Sequence, residues 1–114
     1  MEEAIVARRG VLQNELNRIL EILIREYRPK KVILFGSMAQ GSIEEWSDID
    51  LFIIKESEKR HLDRVTEVIH LVHPTVGMDV FVLSPDEVKN ALDDQNPYIE
   101  EILTEGKVLY EQKD

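Results

Sequence analysis

Apolar residues recur at three- and four-residue steps early in the chain: Leu12, Leu16, Ile19, Leu20, Leu23 and Tyr27. Such spacing puts them on one face of a helix. It predicts a helix over about residues 2–27, with Ile5, Val6, Val11, Ile22 and Ile24 widening the stripe. Arg25, Arg28, Lys30 and Lys31 gather near its end, where positive charge suits the helix dipole, and Pro29 stops it. The pattern then shortens. Lys31–Phe35 reads as a strand that stops at Gly36-Ser37, with a short helix through Met38-Ala39-Gln40 and a loop over Gly41–Trp46. A second strand is predicted over about Ile49–Ile54, and a helix over 58–72 with Leu62, Val65, Ile69 and Val72 on one face. Pro74 and Gly77 bracket a turn before a third strand, Met78–Leu83. Ser84-Pro85-Asp86-Glu87 is a helix start with Ser as cap, Pro at the first position and an acid at the third. That helix runs to about Asp93, Asn96-Pro97 opens another that ends at Gly106, and Lys107–Tyr110 forms a last edge strand. The order α-β-α-β-α-β-α-α-β predicts an α/β (α+β) fold, a small mixed sheet flanked by helices.

The length of 114 residues fits one domain, residues 1–114. A chain of this size buries roughly 65% of its extended-state surface, enough for one core. With no cysteine, neither a disulfide framework nor a thiolate metal site is available. The net charge of −9 lacks the basic footprint of a nucleic-acid binder, so no long nucleic acid is expected as a partner. No apolar run approaches the ~20 residues needed to cross a bilayer, and the opening Met1-Glu2-Glu3-Ala4 is acidic, unlike a signal peptide. A cytoplasmic protein with no membrane partner is the expectation.

Chemistry concentrates in two places. Asp48-Ile49-Asp50 stands where the second strand begins. Residues i and i+2 of a strand share a face, with Cα atoms roughly 6.6 Å apart. Two like charges at about 6 Å repel by about 3 kcal/mol at an effective dielectric near 20, a cost that a divalent cation removes. Two Mg²⁺ ions about 3.5–4 Å apart fit such a pair. An isolated Asp-X-Asp more often caps loop backbone. The balance changes with a third acid, Asp79, set in the apolar run Val80-Phe81-Val82-Leu83, where an ionised group is costly unless paired or bound to metal. It changes again with Gly36-Ser37 upstream, where glycine lets backbone approach an anion and the serine adds a donor. His61, His70 and His73 show no metal-ligand spacing with these acids and read as surface or packing residues. Trp46 reads as a loop anchor, Ser47 as a residue shaping the backbone before Asp48, and Lys55 as a solvated lysine.

Phe35-Gly36-Ser37, then Ser47-Asp48-Ile49-Asp50-Leu51, then Met78-Asp79-Val80 resemble the nucleotidyltransferase signature of the DNA polymerase β superfamily in order and spacing. The resemblance spans about residues 31–83. The length and the ending, Ile102 to Glu111, resemble the minimal nucleotidyltransferases, commonly the antitoxin half of a toxin–antitoxin pair whose partner is a HEPN-domain toxin. The resemblance implies AMP transfer from ATP to a tyrosine of that toxin. It also implies Asp48, Asp50 and Asp79 as catalytic and metal-binding residues for two Mg²⁺ ions, and Gly36, Ser37 and Ser47 as nucleotide-binding residues. Met38 and Gln40 stand where many relatives carry arginines that contact a triphosphate.

With no second domain, the acceptor must come from another protein or from a second copy of the chain. Two other readings compete with transfer to a partner. One is an antitoxin that neutralises its partner by contact alone. The other is a nucleotidyltransferase acting on a small molecule.

Overall fold

The computed structural model describes residues 2–44 and 47–113; the loop positions Glu45 and Trp46 lie outside the described residues. The chain opens with α1 (Glu2–Ile22), which passes directly into a π-helical turn, Leu23–Tyr27. Then follow β1 (Lys31–Phe35), α2 (Gly36–Gln40), β2 (Ile49–Ile54), α3 (His61–Val72), β3 (Met78–Leu83), α4 (Pro85–Asp93), α5 (Pro97–Glu105) and β4 (Lys107–Glu111). The strands form one sheet in the order β3-β2-β1-β4. β1 runs antiparallel to β2 and β4, while β2 and β3 are parallel. The sheet is therefore mixed, as expected, and α3 is the crossover that a parallel pair requires.

Both faces of the sheet are covered. On one, Leu12, Leu16, Ile19 and Leu23 from the first helix and Val68 and Val72 from α3 pack on Val32, Leu34, Leu51 and Ile53. On the other, Val88 of α4 and Ile99 and Ile102 of α5 pack on Ile33 and Phe52. Alternation along each strand accounts for the split, since neighbouring residues face opposite layers. β1 and β2, the two inner strands, are buried along most of their length.

Three details depart from the sequence pattern. The long helix is not α-helical throughout: its last turn widens so that Leu23 and Tyr27 are both buried, and Arg28 closes it with φ 56, its N–H donating to the Leu23 carbonyl. Val6 and Val11 do not join the apolar stripe; both are exposed, Val11 beside the fully buried Leu12, on the side of α1 turned away from the sheet. The covered face of α3 is Arg64, Val68 and Val72, and Leu62 is 71% exposed. Arg64 takes a core position because its guanidinium donates to the carbonyls of Val82 and Ser57 and pairs with Glu87.

α4 begins with the expected capping box, the Ser84 hydroxyl accepting from Glu87 N and the Glu87 carboxylate from Ser84 N. Along the outer border of β3, His61 Nε2 accepts from Val82 N at 3.2 Å, and the His61 ring stacks on Phe81. No helix among the described residues is long and apolar enough to cross a membrane.

Candidate active site

The parallel register of β2 and β3 decides which acids meet. Asp50 lies opposite Asp79, and Ile49 N donates to Gly77 O at 3.0 Å to start the pairing. Burial, together with the nearby charges of Asp79 and Asp48, pushes Asp50 up to about 6. Residue 79 thus stands beside residue 50, across from it on the neighbouring strand. It is exposed, whereas Asp50 is partly buried.

On the other flank, Phe35 of β1 is the register partner of Asp50. Gly36 follows it with φ 76, and a Cβ there would collide with the Asp50 carboxylate, with Cγ at 3.0 Å. Only glycine combines this backbone with so close an approach. Ser37 Oγ donates to Ser47 Oγ at 3.2 Å, and Ser47 Oγ also accepts from Glu44 N at 2.7 Å. Ser47 is buried. Its hydroxyl ties the Gly36-Ser37 bend to the segment that leads into Asp48 and is enclosed in doing so.

Asp48 is held differently. Its side chain is 48% exposed, with Oδ1 3.6 Å from Nη2 of Arg8. The carboxylate also lies so near Gly77 that a Cβ there would fall 2.5 Å from Asp48 Cγ. Asp48 is close enough to raise the affinity of Asp50 for its proton. The three carboxylates do not close on a single point: among the described residues no three acids or histidines are gathered tightly enough to enclose an ion. What fits a divalent cation is the Asp50–Asp79 pair, two carboxylates side by side on neighbouring strands whose repulsion a cation would relieve, with Asp48 at its shoulder. Hard cations such as Mg²⁺ take few protein carboxylates and complete their shell with water and phosphate oxygens.

Beside the acids lies a cleft of about 530 Å³ lined by Phe35, Asp50, Asp79, Val80, Phe81 and Tyr98. A second, of about 370 Å³, shares Phe35 and Tyr98 and reaches past Gly36 and Gln40 to Glu101 and Glu105. Tyr98 is 49% exposed and meets Phe35 and Phe81 edge to face, at centroid distances of 6.5 and 5.8 Å. The acids therefore open toward the α5 layer, beside an aromatic wall. Lys55 belongs elsewhere: at the far end of β2 it donates to Tyr27 O and lies over the Tyr27 ring.

The sequence over residues 17–114 matches the family described as "Polymerase beta, Nucleotidyltransferase". The chain belongs to this nucleotidyltransferase family. Two proteins of Methanocaldococcus jannaschii are similar to it. One, named "Putative protein adenylyltransferase MJ1305", is 32% identical over 106 residues, covering 84% of this chain and 72% of its own. The other, "Putative protein adenylyltransferase MJ1379", is 28% identical over 100 residues, covering 83% of this chain and 94% of its own. The crystal structure of "a putative nucleotidyltransferase from Sulfolobus solfataricus" shares the fold, with a TM-score of 0.62 and 22% identity over 76% of this chain and 79% of that one. This chain is a nucleotidyltransferase by family, built on a nucleotidyltransferase fold.

Several residues of this candidate site escape a reading of the sequence. Gly77 looks like a turn glycine, yet it is the floor against which Asp48 rests. Tyr98 follows a capped Asn96-Pro97 helix start, the one local cue to its fixed position. Arg8 carries no cue at all, since it lies 39 residues from the backbone it binds.

Proposed function

We propose that this nucleotidyltransferase is a protein adenylyltransferase that moves AMP from ATP to a hydroxyl, most suitably a tyrosine, of a partner protein. In this reading the partner is a HEPN-domain toxin and the chain its antitoxin. The observation that carries the reading is the pairing of Asp50 with Asp79 directly beside Gly36. Support comes also from the relatives named as protein adenylyltransferases.

The chemistry follows from the arrangement. Gly36 presents bare backbone to a triphosphate lying along the bend, and the Ser37 hydroxyl joins it by turning from Ser47. The Asp50–Asp79 pair, with Asp48 at its shoulder, would hold Mg²⁺, which when bound offsets charge on the phosphates and on the departing pyrophosphate. Asp79 is exposed and lines the cleft, so an acceptor hydroxyl that enters there meets a carboxylate able to orient it and take its proton. The hydroxyl oxygen attacks the α-phosphorus, the bond to the bridging oxygen breaks, and pyrophosphate leaves. Phe35 and Tyr98 supply the apolar surface on which a nucleoside or an acceptor ring can lie. Positioning and charge compensation give most of the rate.

Incubation with α-labelled ATP, Mg²⁺ and a HEPN-domain partner tests this. Label passes to the partner with the native chain, and Asp48→Asn lowers the rate by at least about a thousandfold. Neutralisation of the partner by Asp48→Asn with no label transferred would instead show an antitoxin that works by contact.

A further inference from the structure

The family match covers residues 17–114, so it does not take in the first turns of α1. These turns nonetheless reach the carboxylates. Arg8 donates from Nε at 3.0 Å and from Nη2 at 2.7 Å to one acceptor, the carbonyl of Ser47. The same Nη2 lies 3.6 Å from Asp48 Oδ1. The Arg8 side chain is 24% exposed, more enclosed than a freely solvated arginine. The carbonyl it grips belongs to the peptide that joins Ser47 to Asp48, the point from which the first carboxylate projects.

The surroundings show why that peptide needs a clamp. The Ser47 hydroxyl is already committed to Glu44 N and Ser37, which fixes one side of the residue. Its carbonyl is the other side, and Asp48 follows before the ladder of β2 begins at Ile49. The residues lining the cleft beside Asp50 include no Lys or Arg, and α2 carries no charged side chain. A cationic side chain beside Asp48 therefore comes from α1.

We propose that Arg8 is a positioning residue. By fastening the Ser47 carbonyl it sets the direction of Asp48 relative to Asp50 and Asp79, and so sets how tightly the three take a divalent cation. This rests on the carboxylates being the metal ligands, as proposed above. Two opposite effects are available to a guanidinium here. As a mere counter-charge, Arg8 would compete with a cation for Asp48, and its loss would tighten binding. As a positioning residue, its loss weakens binding, because Asp48 then samples directions away from the pair. The geometry favours the second: the two short contacts go to a neutral carbonyl, and the carboxylate lies beyond hydrogen-bond distance.

Mn²⁺ binding to the full chain without nucleotide, followed by its paramagnetic resonance signal, reads this directly. Arg8→Ala weakens Mn²⁺ binding about tenfold, as losses of groups that orient metal ligands commonly do. Arg8→Lys, which keeps the charge and one donor, recovers part of that loss. Arg9→Ala, removing an exposed neighbouring charge, leaves binding unchanged. Steady-state transfer follows the same order as a rise in the Mg²⁺ needed for half-maximal rate, with the limiting rate at saturating Mg²⁺ much less affected. Measurement well below each variant's Tm separates this from a loss of folded protein. Unchanged or tighter Mn²⁺ binding in Arg8→Ala overturns the proposal, as does an equal loss in Arg9→Ala. Full Mn²⁺ binding in both Asp48→Asn and Asp50→Asn would instead remove the carboxylates as ligands, and the proposed function with them.

Discussion

A carboxyl group that holds its proton too tightly records the strain in its surroundings. Asp50 is raised from 3.8 to about 6, first by burial and then by Asp79 and Asp48. The folded state therefore binds this proton more tightly than the unfolded chain. Its contribution to stability is full below about pH 4 and is lost as pH rises to about 6. Asp50→Asn removes the loss. In metal-free buffer near pH 7.5 the variant is expected to melt about 5 °C or more above the native chain, with the gap closing by about pH 4. Transfer activity disappears in the same variant. Calorimetry at the two pH values checks the prediction, and a lower Tm at pH 7.5 would contradict it. Asp48, Asp50 and Asp79 are legible in the sequence because costly groups in apolar runs stand out. Arg8 is not, since an arginine on a helix looks the same whether it meets water or a carbonyl 39 residues away.

At the scale of elements, α1 is fastened to the turn between α3 and β3 by a buried acid. Glu15 makes two 2.7 Å contacts with Arg18 and accepts from Thr75 N, while Arg18 donates onward to His73 O. The Arg18 guanidinium, with help from Thr75 and against the cost of burial, holds Glu15 down from 4.5 to about 2. A lowered folded pKa gives stability that is complete above pH 4.5 and is lost as pH falls toward 2. Glu15→Gln is expected to cost about 2–3 kcal/mol at neutral pH and almost nothing near pH 2. Urea titrations across that range measure it, and a cost independent of pH would refute the assignment. The turn held by Glu15 leads to Gly77, so the same variant loosens the floor under Asp48. All the predicted elements are present because strand length, caps and Pro-Gly punctuation are local signals. On α3 the periodicity places Val65 and Val72 against the core but also includes the exposed Leu62, and it passes over Arg64, which occupies a core position through hydrogen bonds that no pattern shows. The π turn was invisible for a similar reason: it is a tertiary compromise that buries Leu23 and Tyr27 together.

Taken whole, the molecule is acidic, with 23 Asp and Glu against 14 Lys and Arg. Charge of one sign over a small surface repels itself, and salt screens the repulsion within about 8–10 Å. Raising NaCl from about 20 mM to about 300 mM is therefore expected to raise Tm by a few degrees. A fall in Tm over that range would show that local ion pairs outweigh the net charge. A last consequence lies along the border of β3, where His61 and Arg64 occupy both the amide and the carbonyl of Val82. Any extended peptide trying to anneal there must first evict two side chains already bonded to that backbone. Growth of the sheet by recruiting foreign strands is therefore discouraged on the flank that carries Asp79.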